Sequence, residues 1–165
     1  MKKTQKRRRR EKKTDYSKRI NLLKSQSPRI IFRKTNRYII CQYVLSKEAQ
    51  DIIKKSFNSR ELLKYGWPKE FQGSLKSLPA AYLTGFIIGK KISKEKESSP
   101  IVDAGMNRII PKNRFFAFLK GLKDSGVNVK CDEKFFPDEF RISGRHLKRD
   151  FSKIFLEIKS KIQKE

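Results

Sequence analysis

Cysteine and histidine are nearly absent from the 165 residues of this chain. The two cysteines, Cys41 and Cys131, are far apart in sequence and neither has another cysteine or a histidine beside it; the single histidine is His146. A disulfide framework needs more cysteines, and a zinc site needs ligands at paired spacing. We therefore expect neither, and interpret both cysteines as small buried apolar residues in a reducing compartment.

Long apolar runs are also missing. The longest extends from Leu78 to Gly89 and is interrupted by Thr84, which makes it too short for the roughly 20 residues that cross a bilayer. The charged N-terminus leads into no apolar stretch, so no signal peptide is expected. These features predict a soluble, cytoplasmic protein that does not span a membrane.

Acidic residues are scarce relative to basic ones. The chain has 42 Lys or Arg and 17 Asp or Glu, a net charge of +25, and the first nineteen residues carry eleven basic residues, including the unbroken run 7–10. Self-repulsion at this charge disfavours a compact free protein, and a polyanionic partner relieves it. Nucleic acid is the commonest such partner, and an anionic membrane surface is the alternative.

The hydrophobic periodicity predicts an α/β (α+β) fold, a mixed β-sheet with helices packed on it. Residues 29–33 and 38–44 are rich in β-branched and aromatic side chains and predict a hairpin with a cationic turn. Further strands are predicted at 52–58 and 101–104. Together these four segments supply the expected sheet.

Helices are predicted by apolar spacing and by capping residues. Ser77 caps a helix from Leu78 to about Lys91, which should be the most buried element, and Asn113 caps a helix that runs through Ser125. A short helix is expected in the second half of the basic arm. Gly85 and Gly89 lie on one helical face, where they permit close backbone approach, expected to be to the sheet.

The last predicted helix begins at the capping residue Ser143 and is amphipathic. Its apolar stripe comprises Leu147, Phe151, Ile154, Phe155, Ile158 and Ile162, and its basic face comprises Arg145, Lys148, Arg149, Lys153 and Lys159. The chain is thereby divided into a basic arm (1–27), a globular domain (28–142) and a C-terminal amphipathic helix (143–165). The amphipathic helix also leaves open a membrane-surface function.

Two clusters of residues suit RNA. Arginine binds phosphate oxygens bidentately, and a flexible basic arm can fold as it binds irregular RNA. A tight turn would project basic and amide groups past the sheet edge, beside Tyr38. A solvated tail and a merely solubilising turn are the alternatives. The candidates are Lys6, Arg7, Arg8, Arg9, Arg10, Lys13, Tyr16 and Arg19 in the arm, and Arg33, Lys34, Asn36 and Arg37 in the hairpin.

Candidates for catalysis are weak. His146 has no carboxylate nearby in sequence to orient it. Asp103 ends a predicted strand, where nuclease carboxylates often lie, but a two-metal site needs further acids at suitable spacing. The other acids considered are Asp124, Asp132, Glu133, Asp138 and Glu139, of which Asp138 and Glu139 more plausibly make a turn or pair with Arg141. Trp67 could stack on a base, although a role in anchoring the core is favoured.

Short motifs in collinear order from Arg7 to His146 resemble the large-subunit ribosomal proteins of the universal number-eighteen family, in its archaeal and eukaryotic branch. The motifs are Arg7-Arg8-Arg9-Arg10-Glu11, Lys13-Thr14-Asp15-Tyr16, Arg33-Lys34-Thr35-Asn36-Arg37, Ser59-Arg60-Glu61-Leu62, Tyr65-Gly66-Trp67, Pro79-Ala80-Ala81-Tyr82-Leu83-Thr84-Gly85, Asp103-Ala104-Gly105 and Phe136-Pro137-Asp138-Glu139.

The resemblance implies a structural protein of the cytoplasmic large ribosomal subunit. Such a protein binds 5S rRNA and helps to attach it to the large-subunit rRNA in the central protuberance, beside neighbouring ribosomal proteins. The arm and hairpin candidates named above would make the RNA contacts. No enzymatic activity, cofactor, metal or small-molecule substrate is implied, and a metal-dependent nuclease or another basic RNA-processing protein that uses Asp103 is the alternative.

Overall fold

The protein, described by a computed structural model over residues 4–48, 50–95, 98–147 and 151–164, has a mixed four-stranded sheet. The strands are β1 (Arg29–Lys34), β2 (Ile39–Lys47), β3 (Gln50–Asn58) and β4 (Ile101–Asp103), in the order β3-β2-β1-β4. β2 is antiparallel to both β1 and β3, whereas β4 is parallel to β1. The predicted hairpin, third strand and short fourth strand are confirmed.

The helices occupy the segments between and around the strands. They are α1 (Arg7–Arg10), α2 (Tyr16–Lys24), α3 (Leu78–Lys94), α4 (Arg114–Asp124), α5 (Glu139–Ile142) and α6 (Ser152–Lys164), with 3-10 turns at Ser59–Tyr65, Lys69–Ser74 and Glu133–Phe135. Ser77 and Asn113 cap α3 and α4 as predicted, because each side-chain oxygen accepts from backbone N–H groups of the first turn. The predicted α+β fold is confirmed.

The β1–β2 turn is closed by Thr35. Its backbone N–H donates to the carbonyl of Tyr38 at 2.8 Å, and its hydroxyl accepts from the Tyr38 N–H at 2.9 Å. These bonds satisfy the turn locally and leave Asn36 and Arg37 exposed beyond the end of the sheet. The turn therefore presents a cationic tip, as the sequence predicts.

The glycines of α3 face α4, which corrects the expectation that they approach the sheet. A Cβ added at Gly85 would overlap the backbone carbonyl of Phe118, and one added at Gly121 of α4 would overlap the carbonyl of Tyr82. Glycine on both helices lets the two backbones touch. α3 is buried almost all round between α4 and the sheet, which confirms that it is the most buried element.

The C-terminal helix begins later than predicted. Ser143 follows α5 as its C-cap, and Gly144 has a left-handed φ of +82°, which ends α5 instead of starting a new helix. Arg145 consequently lies in a turn before α6, and Lys148 and Arg149 lie outside the described residues. The buried stripe itself is confirmed, because Phe151, Phe155, Ile158 and Ile162 join the core.

No helix in the described part of the chain is long and apolar enough to span a bilayer. The apolar residues of α3 instead face α4 and the sheet.

Candidate nucleic-acid interface

The second half of the basic arm is folded onto the sheet. Asp15 caps α2 by accepting from the Lys18 N–H at 3.2 Å, and Leu22 and Leu23 are half-buried. The guanidinium of Arg19 reaches Asp51 of β3 at 3.0 Å. An isolated helix of this length is marginal in water, so this ion pair and the packing hold α2 in place.

A buried arginine lies beneath this attachment. Arg29 of β1 is 1% exposed; its guanidinium donates to Asp51 at 2.7 Å and to Ser46 at 2.8 Å, and it lies 3.4 Å from Asp103. A buried charge is tolerated only with such partners. Burial would raise the pKa of Asp51, but hydrogen bonds from Ser46 and Arg19 and the charge of Arg29 outweigh it and hold the pKa below its usual value.

The arm and the hairpin enclose a groove of about 780 Å³, which we call the arm groove. Its polar floor includes Asp51 and Asp103, both already paired with arginine. Its basic and aromatic walls come from two segments of the chain, the arm and β1. The wall residues among the RNA-binding candidates are Arg8, Lys13, Tyr16, Arg19, Arg33 and Lys34.

The remaining candidates lie around this groove. Lys6 covers the ring of Tyr16, with its ammonium 4.6 Å from the ring centroid. Arg7, Arg9 and Arg10 are exposed on α1, and Asn36 and Arg37 form the hairpin tip without lining the groove. The structure thus brings six of the twelve predicted residues together and leaves the others at the surface.

The arm groove also contains residues that the sequence does not identify as RNA-binding candidates. Gly105, Met106 and Asn107 reach it because β4 pairs with β1 and delivers the following loop to the hairpin. The sequence gives no local signal that β4 lies beside β1, because the pairing of a three-residue strand depends on the rest of the sheet. Lys18 also lines the groove, but no feature of the sequence distinguishes it from the other lysines of the arm.

The alternative reading of Asp103 as a nuclease carboxylate is not supported. One carboxylate oxygen lies 3.4 Å from the Arg29 guanidinium, and the other accepts from the Gly105 N–H at 2.8 Å. Over the described ranges, no group of three or more His, Cys, Asp or Glu side chains could hold a metal ion. Asp103 therefore links β4 to β1 as an ion-pair partner.

Other candidate side chains have structural roles. Trp67 is 3% exposed and its ring centroid lies 4.6 Å from that of Phe151, which confirms the anchor and not the base-stacking alternative. Asp138 and Glu139 stand at the start of α5, which agrees with the suggested turn after Pro137. Their recorded ion pairs are with Lys112 at 3.2 Å and with Lys120 at 3.6 Å, and not with Arg141. Cys41 is buried as predicted, whereas Cys131 is only half-buried.

The chain is similar in sequence to known proteins. Residues 2–102 match the family described as "Ribosomal large subunit proteins 60S L5, and 50S L18". "Large ribosomal subunit protein uL18" of Korarchaeum cryptofilum is 46% identical over 142 residues, which cover 86% of this chain and 70% of the relative.

Two further archaeal relatives carry the same name. That of Methanoregula boonei is 43% identical over 141 residues, covering 86% of this chain and 79% of the relative. That of Methanoculleus marisnigri is 44% identical over 141 residues, covering 86% and 78%. The match includes both walls of the arm groove, and the chain belongs to this family of ribosomal large-subunit proteins.

Proposed function

We propose that this protein binds 5S rRNA and helps to attach it to the large-subunit rRNA in the central protuberance. Its family membership makes it a structural protein of the large ribosomal subunit, in the cytoplasm, with rRNA and ribosomal proteins as partners. The family is not one of enzymes. In this proposal residues 1–27 are the RNA-binding arm, 28–142 the 5S rRNA-binding domain and 143–165 a C-terminal segment.

The arm groove is the observation that carries the proposal. Arg8, Lys13 and Arg19 from the arm and Arg33 and Lys34 from β1 line one concave surface. Guanidinium groups on two walls can hold phosphates of an RNA backbone from both sides. Because the walls are far apart in sequence, the groove imposes a shape on the RNA that a free basic tail does not.

The hairpin tip and Tyr16 add selectivity in this proposal. The exposed Asn36 and Arg37 project past the sheet, where amide and guanidinium groups reach base edges in irregular RNA. Tyr16 is half-exposed with Lys6 over its ring, and a base could displace Lys6 to stack there. Recognition would therefore combine backbone neutralisation with the local form of the RNA.

The surfaces outside the groove suit the other partners. Arg7, Arg9 and Arg10 are exposed on α1 and do not line the groove, so they are available to the large-subunit rRNA. Ile52 and Ile53 of the edge strand β3 are about half exposed, which suits contact with a neighbouring ribosomal protein. These assignments extend the proposal from 5S rRNA to its surroundings.

A salt titration of 5S rRNA binding tests the proposal. The double variant Arg8→Gln/Arg33→Gln removes one charge from each wall, and Lys64→Gln/Lys153→Gln removes two exposed charges elsewhere. The slope of log K against log salt concentration is negative, and each lost phosphate contact should make it less steep by about 0.7–0.9. The slope of the groove variant should therefore be less steep than that of the wild type by roughly 1.4–1.8.

The comparison RNA is a scrambled sequence of equal length. We expect the intact protein to prefer 5S rRNA and the control variant to keep the wild-type slope. Equal affinity for both RNAs would refute recognition of 5S rRNA, and equal slopes for the two double variants would refute the role of the groove.

A further inference from the structure

A second groove adjoins the arm groove on the other side of the β4–α4 loop. It encloses about 590 Å³ between the hairpin, this loop and the starts of α3 and α4, and we call it the helix groove. The family match ends at residue 102, before the loop begins. Neither the motifs nor the charge runs of the sequence point to it, because its basic residues are scattered from the hairpin to α5.

The helix groove is strongly basic. Its lining includes Lys34, Arg108, Lys112, Arg114 and Arg141, and no acidic side chain among the described residues lines it. The nearest carboxylate partner is Asp138, which is 3.2 Å from the ammonium of Lys112 and is itself largely exposed. Cations gathered around a concave surface raise the local concentration of a polyanion.

The loop that carries Arg108 and Lys112 is held in place. The Asn107 amide donates to the carbonyl of Phe32 at 3.1 Å and to that of Ala104 at 2.7 Å, and the Asn113 amide donates to the carbonyl of Arg108 at 3.1 Å. The N–H of Lys112 donates to the carbonyl of Phe135 at 2.9 Å. A pre-formed groove of this kind loses less conformational entropy when it binds.

Apolar side chains lie among the charges. Met106 and Ile110 are 53% and 54% exposed and both line the helix groove. Exposed apolar surface surrounded by arginine and lysine matches the two faces of a nucleotide, a flat apolar base and an anionic phosphate. An acidic protein segment would satisfy the charges but would leave that apolar surface without a comparable partner.

The two grooves are adjacent. Phe32, Lys34, Met106 and Asn107 line both of them, so Lys34 borders both grooves. An RNA bound in the arm groove at Lys34 would therefore lie beside Arg108 and Arg114, which line the helix groove with Lys34. This adjacency, together with the positive charge, favours the same nucleic acid as the occupant.

We propose that the helix groove is a second RNA-binding site, which holds the backbone of the RNA segment that continues from the arm groove. Arg108, Lys112, Arg114 and Arg141 neutralise its phosphates, while Met106 and Ile110 contact a base. This proposal rests on the proposed function, since it assumes that the arm groove holds 5S rRNA.

The test compares Arg108→Gln/Arg141→Gln in the full chain with the control Lys64→Gln/Lys153→Gln. Both groove residues are exposed, so the substitutions leave the core intact. The expected result is a negative salt slope for 5S rRNA that is less steep by about 1.4–1.8 than that of the wild type, with the control unchanged. A slope equal to that of the control would overturn the proposal.

A second measurement locates the RNA directly. A hydroxyl-radical-generating probe attached at Ile110→Cys, in a Cys131→Ser background, should cleave 5S rRNA at a defined segment, whereas the same probe at Lys64→Cys should not. Absence of cleavage from position 110 would also overturn the proposal, and would leave the groove to a partner other than RNA.

The two proposals can fail separately. If the wild-type protein does not prefer 5S rRNA over the scrambled RNA, the proposed function itself has failed. If that preference holds while the Arg108/Arg141 variant and the position-110 probe behave as their controls do, only the helix-groove proposal has failed.

Discussion

Replacing Asp51 by asparagine should both destabilise the fold and loosen the arm. Asp51 is the carboxylate shared by Arg29, which is fully buried, and by Arg19, which holds α2. The Asp51→Asn variant keeps the size of the side chain but removes its charge. Arg29 would then retain only Asp103, at 3.4 Å, as a charged partner among the described residues.

The size of the effect follows from the burial of the two partners. Breaking a fully buried ion pair by removing one partner costs about 3–5 kcal/mol. Asp51 is 28% exposed and the amide can still accept a hydrogen bond, so we expect a loss of about 2 kcal/mol in the free energy of unfolding. For a protein of this size that corresponds to a fall in Tm of roughly 4–8 °C.

The assay is urea unfolding of the two proteins over a range of pH, with amide exchange in α2. The folded-state pKa of Asp51 lies below its ordinary value of 3.8, so its carboxylate stabilises the protein above that pH and the contribution is lost as the pH falls through the folded-state pKa. The difference between wild type and variant should therefore be complete at neutral pH and disappear in strong acid. Exchange in Tyr16–Lys24 should become faster because Arg19 of α2 loses its ion pair with Asp51.

Asp132→Asn is the matched control, since it removes the same charge from an exposed pair with Lys134 at 3.2 Å. Exposed pairs contribute about 0–1 kcal/mol, so this variant should change stability by less than roughly 0.5 kcal/mol. The reasoning would be refuted if Asp51→Asn and Asp132→Asn lost equal stability, or if the loss from Asp51→Asn did not depend on pH.

Two further predictions concern packing and thiol reactivity. Gly85→Ala should lower the free energy of unfolding in urea by about 1–2 kcal/mol, because overlap with the Phe118 carbonyl outweighs the roughly 1 kcal/mol by which alanine favours a helix. Gly73→Ala, with open space around it, should be near neutral. Equal stabilities of the two variants would contradict the close packing of α3 against α4. Burial raises the pKa of the Cys41 thiol, so a water-soluble alkylating reagent should modify Cys131 first. Mass spectrometry would follow the labelling of each cysteine, and equal rates for both would disprove the burial of Cys41.

The elements that could be predicted are those whose signals are local. Ser77 and Asn113 cap helices through bonds to the next few residues, and the hairpin is closed by Thr35 within its own turn. The start of α6 could not be predicted in the same way. Ser143 is a good capping residue by type, but the left-handed Gly144 beside it makes the serine the end of α5.

The same distinction between local and long-range signals applies to the candidate site. The basic residues of the arm and of the hairpin are evident as charge clusters, whereas their convergence depends on the ion pairs of Asp51 with Arg19 and Arg29. No feature of the sequence indicates the helix groove. Arg108 and Arg141 are separated by more than thirty residues and meet only because the β4–α4 loop and α5 lie on the same side of the hairpin.

The amino-acid sequence by itself determined that this protein is basic, has a mixed α+β fold and resembles a ribosomal large-subunit family, because composition, periodicity and short motifs are properties of neighbouring residues. Only the tertiary structure decided which of the many cations share a surface. The parallel pairing of β4 with β1 and the attachment of α2 to β3 are contacts between distant segments. Such contacts are selected by the packing of the whole chain, and they turn scattered charges into two grooves.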